Sequence, residues 1–276
     1  DASYMFAGCT GMKKIYMEQA IFADSLNATN MFQNIGKSAN KSEKTSIYTN
    51  KKYYISPEKA KYGSKSGYKI DSNYAIFIIK SAILPTTKTE TTETSKFLGG
   101  PIEKNKIRSI TFTYLEDEVN GTKWKITGET EGYIYGGYVA NGNLYDIYIG
   151  SNVDIRANSD SSYMFANMTN LISVSGLGTN IDTGTISDAN HMFYNCKNIA
   201  SLELNQFQSQ TIINMSNMFD GCIALTTLNI DTSKFVTNNV TNMEYMFSDC
   251  KKLTAIDVSK FNTDKVTNMR YMFNNC

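Results

Sequence analysis

The chain has 276 residues, 41% hydrophobic and 19% charged, with 27 basic against 26 acidic residues and a formal net charge of +1. Balanced, interspersed charge gives no basic footprint for nucleic acid or an anionic lipid surface, so neither is expected as a partner. No apolar run is long enough to span a bilayer, and a single histidine allows at most one ordinary histidine acid–base centre.

Along the chain the first feature is Met5-Phe6-Ala7-Gly8-Cys9 with Ile15 and Met17 behind it; a second pair, Met31-Phe32, follows 26 residues later, with Ile35 at the cysteine position. Ile47-Tyr48 and Tyr53-Tyr54-Ile55 read as closing strands, and Ser56-Pro57-Glu58-Lys59-Ala60 as a short terminating helix with proline at its first position. Residues 1–67 are therefore expected to be the C-terminal part of a first repeat solenoid with its terminal cap. Residues 68–101 are expected to be a linker with one short strand, Tyr74–Ile79, because Thr86–Ser95 is almost wholly Thr, Lys and Glu. Residues 102–160 alternate aromatic and β-branched stretches with glycine: Ile107–Tyr114, Trp124–Ile126, Tyr133–Tyr138 and Leu144–Ile149. They predict antiparallel strands forming an N-terminal cap for a second solenoid over 161–276.

In that last segment Met-Phe pairs at Met164, Met192, Met218, Met246 and Met272 are spaced 28, 26, 28 and 26 residues apart. A period in this range signals a repeat architecture. Met215, Met218 and Phe219, and likewise Met243, Met246 and Phe247, follow the i, i+3, i+4 spacing of a buried helix face, with Thr241-Asn242-Met243-Glu244 fitting a capping box. Leu202/Leu204, Leu228/Ile230 and Ile256/Val258 alternate as short strands, and Phe207, Phe235 and Phe261 close each unit. The expected fold class is an α+β repeat: a leucine-rich-repeat-like solenoid of short strand plus short helix coils, in two arrays separated by a β-rich linker and cap. The first unit of the second array departs from the pattern, with Met168 at the cysteine position and Gly176-Leu177-Gly178 inserted. No signal-peptide pattern opens the chain. It begins and ends inside a repeat, so it reads as a window on a longer chain of modules.

Cys196, Cys222, Cys250 and Cys276 recur once per unit, so they should stack in a column at about 4.8 Å per step, as buried free thiols. Disulfides between neighbouring units are the alternative, disfavoured because parallel Cβ vectors suit the disulfide torsion poorly. The spacing does not match zinc-ligand pairs, and His191 stands where the repeat places a solvent-facing residue. No catalytic, cofactor-binding or metal residues are assigned. Asp231 and Asp257 read as turn residues that bond nearby backbone amides, although a stacked column of such oxygens could bind calcium. The Gly176 segment lacks the third glycine of a dinucleotide loop, the Asn-x-Ser/Thr triplets belong to the repeat's own turns, and the methionines are core.

The segment 240–263, Val-Thr-Asn-Met-Glu-Tyr-Met-Phe-Ser-Asp-Cys-Lys-Lys-Leu-Thr-Ala-Ile-Asp-Val-Ser-Lys-Phe-Asn-Thr, resembles the 26-residue repeat of BspA-like bacterial surface proteins, relatives of leucine-rich-repeat proteins. The likeness covers 161–276 strongly and 2–36 fairly well, and Leu144–Gly150 resembles that family's array-leading cap. It implies secretion or surface display and a role in adhesion, with no catalytic residues to carry over.

The remaining functional material is surface. Ser201, Glu203, Thr227, Asn229, Ala255 and Asp257 should face outward from the strands, with Lys197, Lys251 and Lys252 at the neighbouring turns. This face suits multivalent contact with protein or glycan on host or neighbouring cells. The leading expectation is a non-enzymatic extracellular adhesin. Its alternative is a structural spacer or filament subunit that self-associates through its array ends. A carbohydrate-binding module over 124–148 is a third reading; strict alternation argues against it by keeping Tyr133, Tyr135 and Tyr138 off one common side.

Overall fold

Strand-prone stretches in the first part of the chain, rich in β-branched and aromatic residues, assemble into one parallel sheet of β1 (Lys14–Tyr16), β2 (Thr45–Thr49) and β3 (Ala75–Ile79), in that order. The structure, a computed structural model, describes residues 14–16, 45–49, 75–79, 81–113, 118–126, 133–151 and 154–276. It divides into two units, Asp1–Lys80 with Asn152–Asp154 and Ser81–Ser151 with Ile155–Cys276. In the first unit Ile15 registers with Ile47, and Ile47 with Phe77. The strand expected over 74–79 thus lies beside β2 in the same sheet as Ile47-Tyr48. The Met5 and Met31 pairs, Cys9, Ile35, Tyr53–Ile55 and the terminating helix at 56–60 lie outside the described residues.

The second unit opens with β4 (Ser81–Ile83), two single 3₁₀ turns at Phe97–Gly99 and Lys104–Lys106, and then β5 (Ile107–Phe112), β6 (Thr122–Ile126), β7 (Ile134–Asn141) and β8 (Leu144–Ser151). Shorter strands follow: β9 (Asp154–Arg156), β10 (Ser173–Ser175), β11 (Ile181–Asp182), β12 (Ser201–Leu204) and β13 (Thr227–Ile230). The largest sheet runs β10-β5-β8-β7-β6; the others are β11-β9-β4 and β12-β13. β6–β7 and β7–β8 are antiparallel as expected, the latter joined by a two-residue turn with Gly142 at φ 61. β5, however, pairs with β8 in parallel, and β10 continues that direction on the other side of β5. Burial along β5 skips a residue, from Ile107 to Ile110 and Phe112, because the register shifts between Ile107 and Ser109.

The expected fold class requires correction. Among the described residues there is no α-helix, and the α+β repeat of strand-plus-helix coils, the leucine-rich-repeat-like solenoid, is not formed; these residues are strands in several sheets joined by turns. The residue before each Met-Phe pair is left-handed: Tyr163, His191, Asn217, Tyr245 and Tyr271 have φ between 54 and 59. So is the residue two after each phenylalanine, at Asn167 (φ 60), Asn195 (58), Gly221 (74), Asp249 (54) and Asn275 (58). Two left-handed residues in every five prevent the i to i−4 bonding of an α-helix. Alternate amides instead go in two directions. Met164, Ala166 and Met168 donate three residues back, to Ser161, Tyr163 and Phe165 (3.3, 3.1 and 3.3 Å). Between them Tyr163, Phe165 and Asn167 donate forward to Asn190, Met192 and Tyr194 in the next unit (3.1, 2.8 and 2.7 Å). Such a chain of turns brings Met and Phe to one side as a helix would, which is why the apolar spacing read as helical.

The same alternation recurs from Phe193 to Met218, Phe219 to Met246 and Phe247 to Met272, so successive units are tied in parallel. Phe165, Phe193, Phe219, Phe247 and Phe273 stack at 4.9–5.6 Å between ring centroids. Phe207, Phe235 and Phe261 form a second column at 6.0 Å. The turns are capped differently from the expected capping box: Asn242 Oδ1 accepts Glu244 N–H at 3.0 Å, while Thr241 donates its hydroxyl to Ile213 O. Asp188, Asn214 and Asn268 form the same Asx turn, and single parallel bridges link these positions from Asp160 through Asn268.

Candidate functional site

The candidate face is built by β12 and β13. Leu202 and Leu204 point into the core, at 1% and 0% exposure, and the pleat turns Ser201 and Glu203 outward. In register, Ser201 lies opposite Thr227 and Glu203 opposite Asn229. The Glu203 carboxylate accepts from the Asn229 amide across the strands, from Ser201 Oγ (3.5 Å) on its own strand and from Asn205 Nδ2 (3.4 Å) in the turn that follows. These four predicted residues form one polar ladder.

Ala255 and Asp257 are exposed but do not join it, because residues 254–258 form no strand. Asp257 Oδ1 accepts Ser259 N–H at 2.9 Å, an Asx turn that bends the chain where a strand would run. Glu203, at the matching position of its unit, is one methylene longer and bonds sideways, so β12 forms. The preceding unit has its aspartate two residues later, at Asp231, where the turn onto Ser233 N–H (2.9 Å) follows β13 rather than interrupting it. Both aspartates are turn residues as expected, held below the ordinary carboxylate range by the Ser233 and Ser259 side chains and amides. Lys197, Lys251 and Lys252 are exposed beside the face, and Lys251 pairs with Asp249 at 3.6 Å.

The four cysteines among the described residues are free, with Cys196, Cys222 and Cys250 buried and Cys276 exposed. Each thiol donates to the phenylalanine carbonyl of the preceding unit: Cys196 to Phe165, Cys222 to Phe193, Cys250 to Phe219 and Cys276 to Phe247, at 3.1–3.2 Å. Residue spacing predicts the column but not this bond, because nothing in it reveals an acceptor. Burial pushes Cys196 and Cys250 up to about 12 and Cys222 well above its usual value, which suppresses the nucleophilic thiolate.

His191 is half-buried, in a column whose members are half-buried or exposed. It stacks on Tyr163 (4.6 Å, 10°) and meets Tyr194 edge-on (5.0 Å), and burial lowers it to about 4, so its imidazole is neutral at neutral pH. Among the described residues no three His, Cys, Asp or Glu side chains converge as metal ligands, and no helix is long and apolar enough to cross a membrane.

The Thr/Lys/Glu stretch expected to be a linker instead packs on the first unit of the repeat region. Thr87 donates its hydroxyl to Ser162 O (2.8 Å), the counterpart of the Asn190 carbonyl that Tyr163 N–H satisfies one unit on. Lys104 is fully buried, its ammonium donating to Tyr163 O (2.5 Å) and Glu90 O (2.8 Å) and lying 3.6 Å from Glu90 Oε2. Desolvation raises Glu90 to about 7 and lowers Lys104 to about 8. Low hydrophobicity concealed this segment's role, which is to supply the donors a preceding repeat would provide.

Residues 156–276 are similar to a family described as Mycoplasma protein of unknown function, DUF285. No curated protein and no solved structure matches the chain.

Proposed function

We propose that this chain is a non-enzymatic extracellular surface protein that mediates adhesion or protein–protein interaction through the outward face of its repeats. The observation that carries this reading is the polar ladder of Ser201 against Thr227 and Glu203 against Asn229, exposed except for the half-buried Asn229, on a two-stranded sheet that buries Leu202 and Leu204 on its other side. Repeated donors and acceptors on a rigid backing suit weak contacts that add through avidity to protein or glycan on another cell. The likeness of 240–263 to BspA-like surface repeats supports the location and the class. The non-enzymatic part draws on the buried, protonated thiols and the stacked, neutral His191.

The test is saturable binding of labelled protein to host cells and purified extracellular-matrix proteins, compared with a variant carrying alanine at Ser201, Glu203, Thr227 and Asn229. Saturable binding that falls at least ten-fold in the variant supports the adhesin. The second reading, a structural spacer or filament subunit, draws on the in-register hydrogen bonds between units, which stiffen the stack. Absence of binding together with concentration-dependent assembly in sedimentation velocity would put that reading in its place.

A further inference from the structure

A small cleft of about 220 Å³ opens between the 96–106 loop and the two-residue β7–β8 turn. It is lined by Lys96, Pro101, Ile102, Glu103 and Lys106 from the loop and by Asn143 and Tyr145 at the turn. The volume lies below the range of about 300–1,000 Å³ usual for drug-sized ligands and suits one small ring.

Its walls are held in place from behind. Tyr145 meets Tyr138 edge-on (5.7 Å, 84°), and Tyr138 packs on Trp124 at 6.4 Å. Trp124 lies so close over Gly136 and Gly100 that a Cβ would meet its ring at 2.2 and 2.6 Å, so both glycines are needed to seat it. The loop is closed by Phe97 N–H to Ile102 O (3.1 Å) and by the Lys96–Glu103 ion pair at 3.2 Å, with Leu98 and Gly99 left-handed at φ 47 and 66. Against this rigid frame the Lys106 ammonium, the Asn143 amide and the Tyr145 hydroxyl have no hydrogen-bond partner among the described residues. Two lysines face one glutamate, so the cleft carries net positive charge.

An aromatic ring, a planar amide, an acceptor carboxylate and an unpaired ammonium around a space for one small ring match a particular chemistry. A sugar lays its apolar C–H face on a ring, exchanges hydroxyl hydrogen bonds with amide and carboxylate, and places an acidic substituent on the lysine. We propose that this cleft is a subsite for a single sugar residue bearing a carboxylate, of the uronic-acid type. It does not require Tyr133, Tyr135 and Tyr138 to share a face. It is separate from the β12–β13 ladder, so either proposal can fail without the other.

The test is calorimetric titration of the full chain with the methyl glycoside of glucuronic acid, with methyl glucoside and acetate as neutral-sugar and bare-carboxylate probes. Expected is saturable glucuronide binding, at least ten-fold weaker binding of both controls, and a loss of at least ten-fold in Tyr145→Ala and Lys106→Gln but none in Glu203→Ala. If Tyr145→Ala loses the native circular dichroism, Lys106→Gln and Asn143→Ala, at exposed positions, carry the comparison. Equal binding of glucoside or of acetate, undiminished binding in the cleft variants, or no saturable binding would each overturn the proposal.

Discussion

The thiol of Cys222 donates to the carbonyl of Phe193, 3.2 Å away and one repeat earlier in the chain. A small side chain thereby supplies both apolar packing and a second donor, beside the Cys196 amide (3.2 Å), for a buried carbonyl. The first unit shows why the two roles go together: Met168 takes the cysteine position there and is fully buried, and the segment that packs before it, with Thr87 and Lys104, contains no Met-Phe pair whose carbonyl would meet a thiol.

Replacing Cys222 with alanine removes this second donor and leaves a void, and should cost about 1–3 kcal/mol in denaturant unfolding. Cys196, Cys222 and Cys250 should resist a thiol-reactive probe in the folded protein and react after unfolding, with the sites read by peptide mass spectrometry. Labelling of Cys222 under native conditions would show that the column opens readily.

Lys104→Met would strand the Glu90 carboxylate in a dry site and leave Tyr163 O without its ammonium donor. Breaking one side of a buried pair costs about 3–5 kcal/mol. The double variant with Glu90→Gln should recover part of that loss, and a double-mutant cycle by urea unfolding measures the coupling.

His191 titrates at about 4 rather than 6.5 in the folded state. A depressed folded value means that the unfolded chain binds the proton more readily. This contribution to stability is therefore present above pH 6.5 and lost as pH falls through about 4. His191→Tyr, which places in this column the residue found at Tyr163, Tyr245 and Tyr271, should flatten the melting temperature over that window by removing a loss on the order of 1 kcal/mol after solvent screening. An unchanged pH profile would show that the imidazole is not the titrating group.

Asn217 has φ 56. Asn217→Gly should stay within about 0.5 kcal/mol of the parent, while Asn217→Val should cost about 1–2 kcal/mol, because a β-branched residue clashes in the left-handed region. Equal melting temperatures for the two would mean that the turn is not held left-handed in solution.

Asp257→Glu should release the Asx turn onto Ser259 and let 255–258 pair with β13 as Glu203 lets β12 pair. Hydrogen exchange would then slow at the backbone amides of that segment. Exchange as fast as in the parent would place the cause of the missing strand elsewhere.

Much of this molecule is legible in residue order. The 26- and 28-residue beat, the inward Leu202 and Leu204, the thiol column and the turn role of Asp231 all follow from local spacing, because stacking identical passes copies each position onto its neighbour. Four residues of the candidate face were legible for the same reason. What spacing could not decide was the backbone path. Met and Phe at i, i+3, i+4 fit a helix and a run of left-handed turns equally, and the choice is made by amides that donate to the next unit, a bond no single repeat contains. The parallel pairing of β5 with β8, the burial of Lys104 beneath a segment of linker-like composition, and the failure of 254–258 to extend the ladder likewise depend on contacts between distant residues. Sequence determined which side chains recur and face inward; tertiary structure decided where each backbone amide and buried charge finds its partner.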